Sequence, residues 1–155
     1  MVVHVAVGFA LAFVIGFERQ LRGGPAGDRT YSLVGTASAA ITAVAIAHGA
    51  GNAIAGTITG IGFIGGALLF RGEGGILRGI TSAAAVLATA AIGVVAGAGY
   101  PLLAVFTAGV VLVTLEVRYL PVLRYLDASR YVGKVRGDDD PPPPGRHPVT
   151  PPGPP

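Results

Sequence analysis

The chain has 155 residues, 52% of them hydrophobic and only 12% charged, with a mean hydropathy of +0.66. A soluble domain carries about 25% charged residues to wet its surface, so this composition excludes a water-soluble globule and points to a protein dissolved in a bilayer. The net charge of +3 does not indicate a nucleic-acid partner, because the basic residues sit in short segments beside apolar runs without an aromatic-plus-basic platform.

The first apolar run, residues 2–17, lacks the basic leader and small-x-small ending of a cleaved signal, so a retained first span is expected. It ends in "GFERQLRGGPAGDRT", where Arg19, Arg22 and Arg29 stand with Glu18 and Asp28 in fifteen residues. Further apolar runs cover residues 31–50, 53–70, 80–98 and 100–115. At 1.5 Å per residue the middle three reach roughly 27–30 Å, enough for the hydrocarbon core, whereas the first and last reach only about 24 Å. Five spans are expected, with four as the alternative.

The placement of charge tests that count. Arg19, Arg22 and Arg29 follow the first run, Arg71 and Arg78 the third, and the other six basic residues the fifth. With the N-terminus outside and the C-terminus in the cytoplasm, all eleven basic residues fall on the cytoplasmic side, as the positive-inside rule requires. The opening cluster then marks the cytoplasmic end of the first span.

Small residues fill the spans. Gly62-x-x-x-Gly66 lies in the third and Gly93-x-x-x-Gly97 in the fourth, spacings that allow backbones to approach closely in lipid. Gly62 and Gly66 are expected to face another helix, within one subunit or across a homo-oligomeric interface, and a narrow pathway would use the same small residues. Residues 116–136 form a basic juxtamembrane segment with Tyr119, Leu120, Leu123, Leu126 and Tyr131, suited to an anionic leaflet. Residues 137–155 are proline-rich and expected to be disordered. Residues 1–115 constitute the transmembrane domain.

The charged and hydroxyl residues offer little for catalysis. The chain has no cysteine, and His4, His48 and His147 lie far apart, so no zinc-type spacing exists. Thr30, Ser32, Thr81 and Ser82 have no histidine or lysine nearby in sequence to activate them. No enzyme activity and no cofactor are expected.

Three ordered segments resemble the MgtC/SapB family of bacterial membrane proteins. "GFERQLRGGPAGDRTYSLVG" carries Gly16, Glu18, Arg19, Ala26, Gly27, Arg29 and Thr30 of the family pattern. "GIGFIGGALLFR" carries Gly60, Gly62, Gly65 and Arg71. "GITSAAAVLATAAIGVVAGAGY" carries Gly79, Thr81, Ala83, Ala84 and Gly93. Asp28, Ala67 and Leu87 depart from it, standing where an apolar residue, a glycine and an aromatic are frequent. The resemblance implies an inner-membrane protein linked to magnesium limitation, without the soluble C-terminal ACT-like domain of many relatives. It implies a regulator acting through other membrane proteins, the ATP synthase among them, or alternatively a transporter or channel for Mg²⁺ or another ion.

Three readings of the charged cluster stay open. A cation site would use Glu18 and Asp28, since Mg²⁺ needs only one or two carboxylates beside its waters. An interfacial ion-pair ring would join Glu18 and Asp28 to nearby arginines, Arg29 and Arg71 included. A docking site would present Arg19, Arg29 and Arg71 to an acidic segment or a lipid headgroup.

Overall fold

The computed structural model describes residues 1–71 and 77–116, with no account of the side chains of residues 70, 71, 77 and 78. The juxtamembrane segment beyond residue 116 and the proline-rich tail lie outside the described residues. The architecture is all-helical: α1 Val2–Leu21, α2 Asp28–Ala47, α3 Gly51–Ala67, α4 Ile80–Gly97 and α5 Pro101–Glu116. Each coincides with one of the five apolar runs. Between α3 and α4 lies a two-residue antiparallel pairing, β1 (Phe70–Arg71) with β2 (Leu77–Arg78), in register Phe70↔Arg78. The apolar pattern gave no sign of it.

Three helices, α1, α2 and α4, are long and apolar enough to cross a membrane. α5 is apolar but has sixteen residues, and α3 has seventeen. α1, α2 and α4 stop by one device. Gly23, Gly49 and Gly99, each one residue past the helix cap, take φ of +69°, +65° and +91°, a left-handed turn that returns N–H groups to the last carbonyls. The bonds from Gly24 N–H to Arg19 O (2.9 Å) and from Ala50 N–H to Ala45 O (2.8 Å) are examples.

α1, α2 and α4 form the tightly packed centre, with α3 against α4 and α2, and α5 against α4 and α1. Small residues set the spacing. A methyl group added at Gly8 would lie 2.8 Å from the Ala39 Cβ, and one at Gly93 only 2.5 Å from the Gly35 carbonyl oxygen. Gly35 is likewise closed by Ala12, and Gly97 by the Ala39 backbone. In lipid, where apolar burial gives helices little reason to associate, such close backbone approach supplies dispersion contact instead. Ile15, Tyr31, Val86 and Ile92 fill the remaining centre and are fully buried.

The expectation for Gly62 and Gly66 is corrected for packing within one chain. Gly62 and Gly66 face outward, with nothing within 4 Å of the position of an added methyl. At 100° per residue, α3 turns Ile61 and Gly65 inward instead, Gly65 resting on Ala83. The motif spacing correctly marks one face of the helix, but the neighbouring Gly65 lies on the face the bundle uses.

Candidate functional site at the charged end of the bundle

Connectivity brings the charges together. α1 and α2 run antiparallel, so that a methyl at Gly16 would sit 2.7 Å from both Asp28 Cα and Tyr31 Cβ. The end of α1 therefore lies beside the start of α2, and the start of α4 and the end of α5 join them at the same end. Glu18 and Arg19 ride on the last turn of α1 instead of in a loop, because the helix continues to Leu21 before the Gly23 turn.

The strongest contact is one the sequence reading missed. Arg22 grips Glu116 of α5, its Nη2 donating to Oε2 at 2.7 Å and to Oε1 at 2.9 Å. Its Nε lies 3.7 Å from Glu18 Oε1, so one guanidinium serves two carboxylates. The side chains of Glu18, Glu116 and Arg22 are 12%, 21% and 35% exposed, a gradient from the bundle interior to its rim. The available signal was positional. Glu116 is the sole acid in the fifth apolar run and its extension to residue 116, and alternation of spans places it at the same end as Arg22. The expected partner of Glu18 was Arg29; the closer cation is Arg22, four residues along the same helix.

A second knot ties α1, α2 and α4. Arg19 Nη2 donates to Ser82 Oγ at 3.4 Å, and the fully buried Tyr31 hydroxyl donates to the Ser82 carbonyl, also at 3.4 Å. Ser82 thus receives α1 on its side chain and α2 on its backbone. Among the described residues, neither Glu18 oxygen makes a hydrogen bond, and Arg19 Nε has no partner.

α2 begins with a third arrangement. Gln20 Oε1 accepts the Asp28 N–H at 3.1 Å, and Asp28 Oδ1 accepts the Arg29 N–H at 2.6 Å. These bonds satisfy two of the donors that a helix start leaves over, and Asp28 places negative charge where the helix dipole favours it. Arg29 is exposed and its guanidinium has no partner among the described residues.

The motif residues thus separate by role. Gly16 and Gly93 occupy helix crossings; Ala26 is buried beneath the α1–α2 turn; a methyl at Gly27 would meet the amide end of the Gln20 side chain, which would have to move aside. Gly79 takes φ of +91° against the Leu68 carbonyl to begin α4, with half-buried Ala83 next to Gly65. Gly60, Gly62, Thr81 and Ala84 are exposed, and Thr30 lines a recess with Arg29. The role expected of the Arg71 side chain lies outside the described side chains. Among the described residues, no group of three or more histidine or acidic side chains gathers as a metal cage.

The profile of the MgtC family matches residues 5–120, a stretch holding almost the whole helical bundle and its charged end. The chain belongs to the MgtC family. It is 34% identical over 131 residues to the protein named "Putative magnesium transporter YhiD" of Escherichia coli K12, covering 76% of this chain and 60% of that one. It is 37% identical over 99 residues to Protein MgtC of Brucella abortus, covering 61% and 41% respectively. With Protein MgtC of Salmonella typhimurium it shares 35% identity over 101 residues, 63% of this chain and 43% of that one. The chain spans about half the length of the curated relatives it matches. No solved structure matches it. Family membership and the three long apolar helices make this MgtC-family chain a membrane protein.

Proposed function

We propose that the chain is a multi-pass inner-membrane regulator, linked to magnesium limitation, that acts through other membrane proteins and is not itself a Mg²⁺ carrier. The observation that carries this reading is the Arg22 grip on Glu116, with Glu18 alongside. Mg²⁺ binding needs carboxylate oxygens with free lone pairs in a field that attracts cations. Here two acids at this end share an internal guanidinium, so an entering Mg²⁺ would have to displace it. The exposed Arg29, beside the neutralised knot, remains available to an acidic group.

The N-terminus is proposed outside and the charged end in the cytoplasm, because that orientation collects the basic residues on one side. A membrane-protein partner, the ATP synthase by family resemblance, or a second copy of the chain would complete the assembly. The name of the E. coli relative supports transport of Mg²⁺ as the second reading. Flux of Mg²⁺ into liposomes holding only this protein separates the two. The regulator reading expects flux equal to that of empty liposomes. Flux that exceeds it and falls in Glu18→Gln would establish transport.

A further inference from the structure

Between α1 and α2, on the outer side of the bundle, runs a groove of about 410 Å³. Phe9, Phe13 and Leu33 form its apolar walls, and Ser32, Asp28 and Arg29 complete its lining. Those apolar side chains are 48%, 41% and 71% exposed, so the protein leaves the groove open to its surroundings. Phe9, Phe13 and Phe17 stack at successive centroid distances of 6.1 Å, giving α1 an aromatic flank along it. The groove adjoins a polar recess of about 390 Å³ lined by Gln20, Gly27 and Thr30, and Asp28 and Arg29 line both.

Three polar groups converge where groove and recess meet. The Arg29 guanidinium has no partner among the described residues. Asp28 commits one carboxylate oxygen to the Arg29 N–H at 2.6 Å, which leaves its second oxygen able to accept. Ser32 is only 8% exposed, and its hydroxyl has no hydrogen-bond partner among the described residues. Ser38 and Thr42 of the same helix share that condition, but of the three only Ser32 lines the groove, where a ligand could supply the missing partner.

These features select one occupant. An apolar groove joined to a polar recess fits an amphiphile, and the pairing of one acid with one base fits a headgroup carrying both charges. The geometry points to a bound phospholipid with a primary ammonium headgroup, its phosphate on Arg29 and Ser32, its ammonium on Asp28, and an acyl chain along Phe9, Phe13 and Leu33. The antiparallel crossing gives the right depth. Gly16 lies against Asp28 while Gly8 lies against Ala39, so Phe13 and Phe9 are successively deeper than the charged pair. A headgroup with negative charge alone would meet Asp28 unfavourably, and a trimethylated ammonium could not donate to it.

The test offers the full chain, purified in mild detergent, equal amounts of phosphatidylethanolamine, phosphatidylglycerol and phosphatidylcholine with identical acyl chains. Native mass spectrometry counts the lipid retained. The expected result is one phosphatidylethanolamine per chain, held with a preference of about tenfold over the other two. Arg29→Gln should weaken retention of every lipid by about tenfold. Asp28→Asn should erase the headgroup preference and leave phosphatidylcholine retention unchanged. Leu33→Trp, at an open position, should fill the groove and lower retention without altering either charge, which keeps the test decisive if a charge variant folds poorly. Equal retention of all three lipids, a preference for phosphatidylglycerol, or undiminished retention in Leu33→Trp would overturn the assignment.

Discussion

Removing the Arg22 guanidinium should loosen the attachment of α5 to the rest of the bundle. Its Nε donates to Glu116 Oε1 at 3.3 Å and its Nη2 to Oε2 at 2.7 Å and Oε1 at 2.9 Å, so two guanidinium nitrogens meet both carboxylate oxygens in the bidentate geometry that makes an ion pair strong. Charges about 4 Å apart attract by roughly 4 kcal/mol at an effective dielectric of 20, but desolvation and ordering of the side chains offset much of that. Arg22 is 35% exposed and Glu116 21%, so screening reduces it again, toward the upper end of the range for exposed pairs. We expect Arg22→Gln to cost about 1–2 kcal/mol and Glu116→Gln about half as much, with a coupling near 1 kcal/mol. Arg22 is the costlier loss because its removal leaves Glu18, only 12% exposed, facing Glu116 without their common cation. A double-mutant cycle on denaturation in detergent measures these terms, repeated at about 1 M salt, where the Debye length falls to about 3 Å and the coupling should shrink. Additivity within about 0.3 kcal/mol would refute the claim that this pair holds α5 in place.

Glycine substitution should separate the two faces of the bundle. Gly93→Ala, which drives a methyl to 2.5 Å from the Gly35 carbonyl, should cost about 1–3 kcal/mol in detergent unfolding. Gly62→Ala, facing open space, should change stability by less than about 0.5 kcal/mol. Impermeant maleimide should label Gly51→Cys but not Gly24→Cys in whole cells, since the second lies in the arginine-rich turn expected inside; the reverse pattern would invert the orientation. Charge reversal of Glu18 with Arg29, Glu18→Arg plus Arg29→Glu, should give no rescue of stability over the single changes, because the cations acting on Glu18 are Arg19 and Arg22. Rescue would restore the pairing expected from sequence.

The five helices were legible because hydrophobicity and length report burial in lipid directly. Each predicted run matches a helix to within a few residues, and the largest shift has a cause. α1 runs on through Glu18, Arg19 and Gln20, since charged residues at the interface do not break a helix and the turn waits for Gly23. The sequence could place Gly62 and Gly66 on one face, but not say whether another helix occupies that face. Rotation of α3 about its axis depends on Ile61 and Gly65 fitting α4, which is tertiary information. The charged end was legible as a location and not as a set of pairs. Glu116 is 94 residues from Arg22, and only the closure of five helices brings them into contact.

Small-residue contacts and the charged end specify different coordinates of the same bundle. The contacts of Gly8 with Ala39 and of Gly93 with Gly35 fix how closely α1, α2 and α4 approach. A surface of methyls and backbone is nearly smooth, however, and weakly resists one helix turning or sliding against another. Directional bonds at the end supply that resistance. Arg19 and Tyr31 reach Ser82 from two helices, and Arg22 reaches Glu116 from a third pairing of elements, so a shift of α4 or α5 breaks a bond with an angular requirement. The same shift at the Gly93 crossing would exchange one close contact for another. The charges crowded between Gly16 and Thr30 therefore act first as the register of the bundle, and Arg29, left outside that register, is the charge free to act on something else.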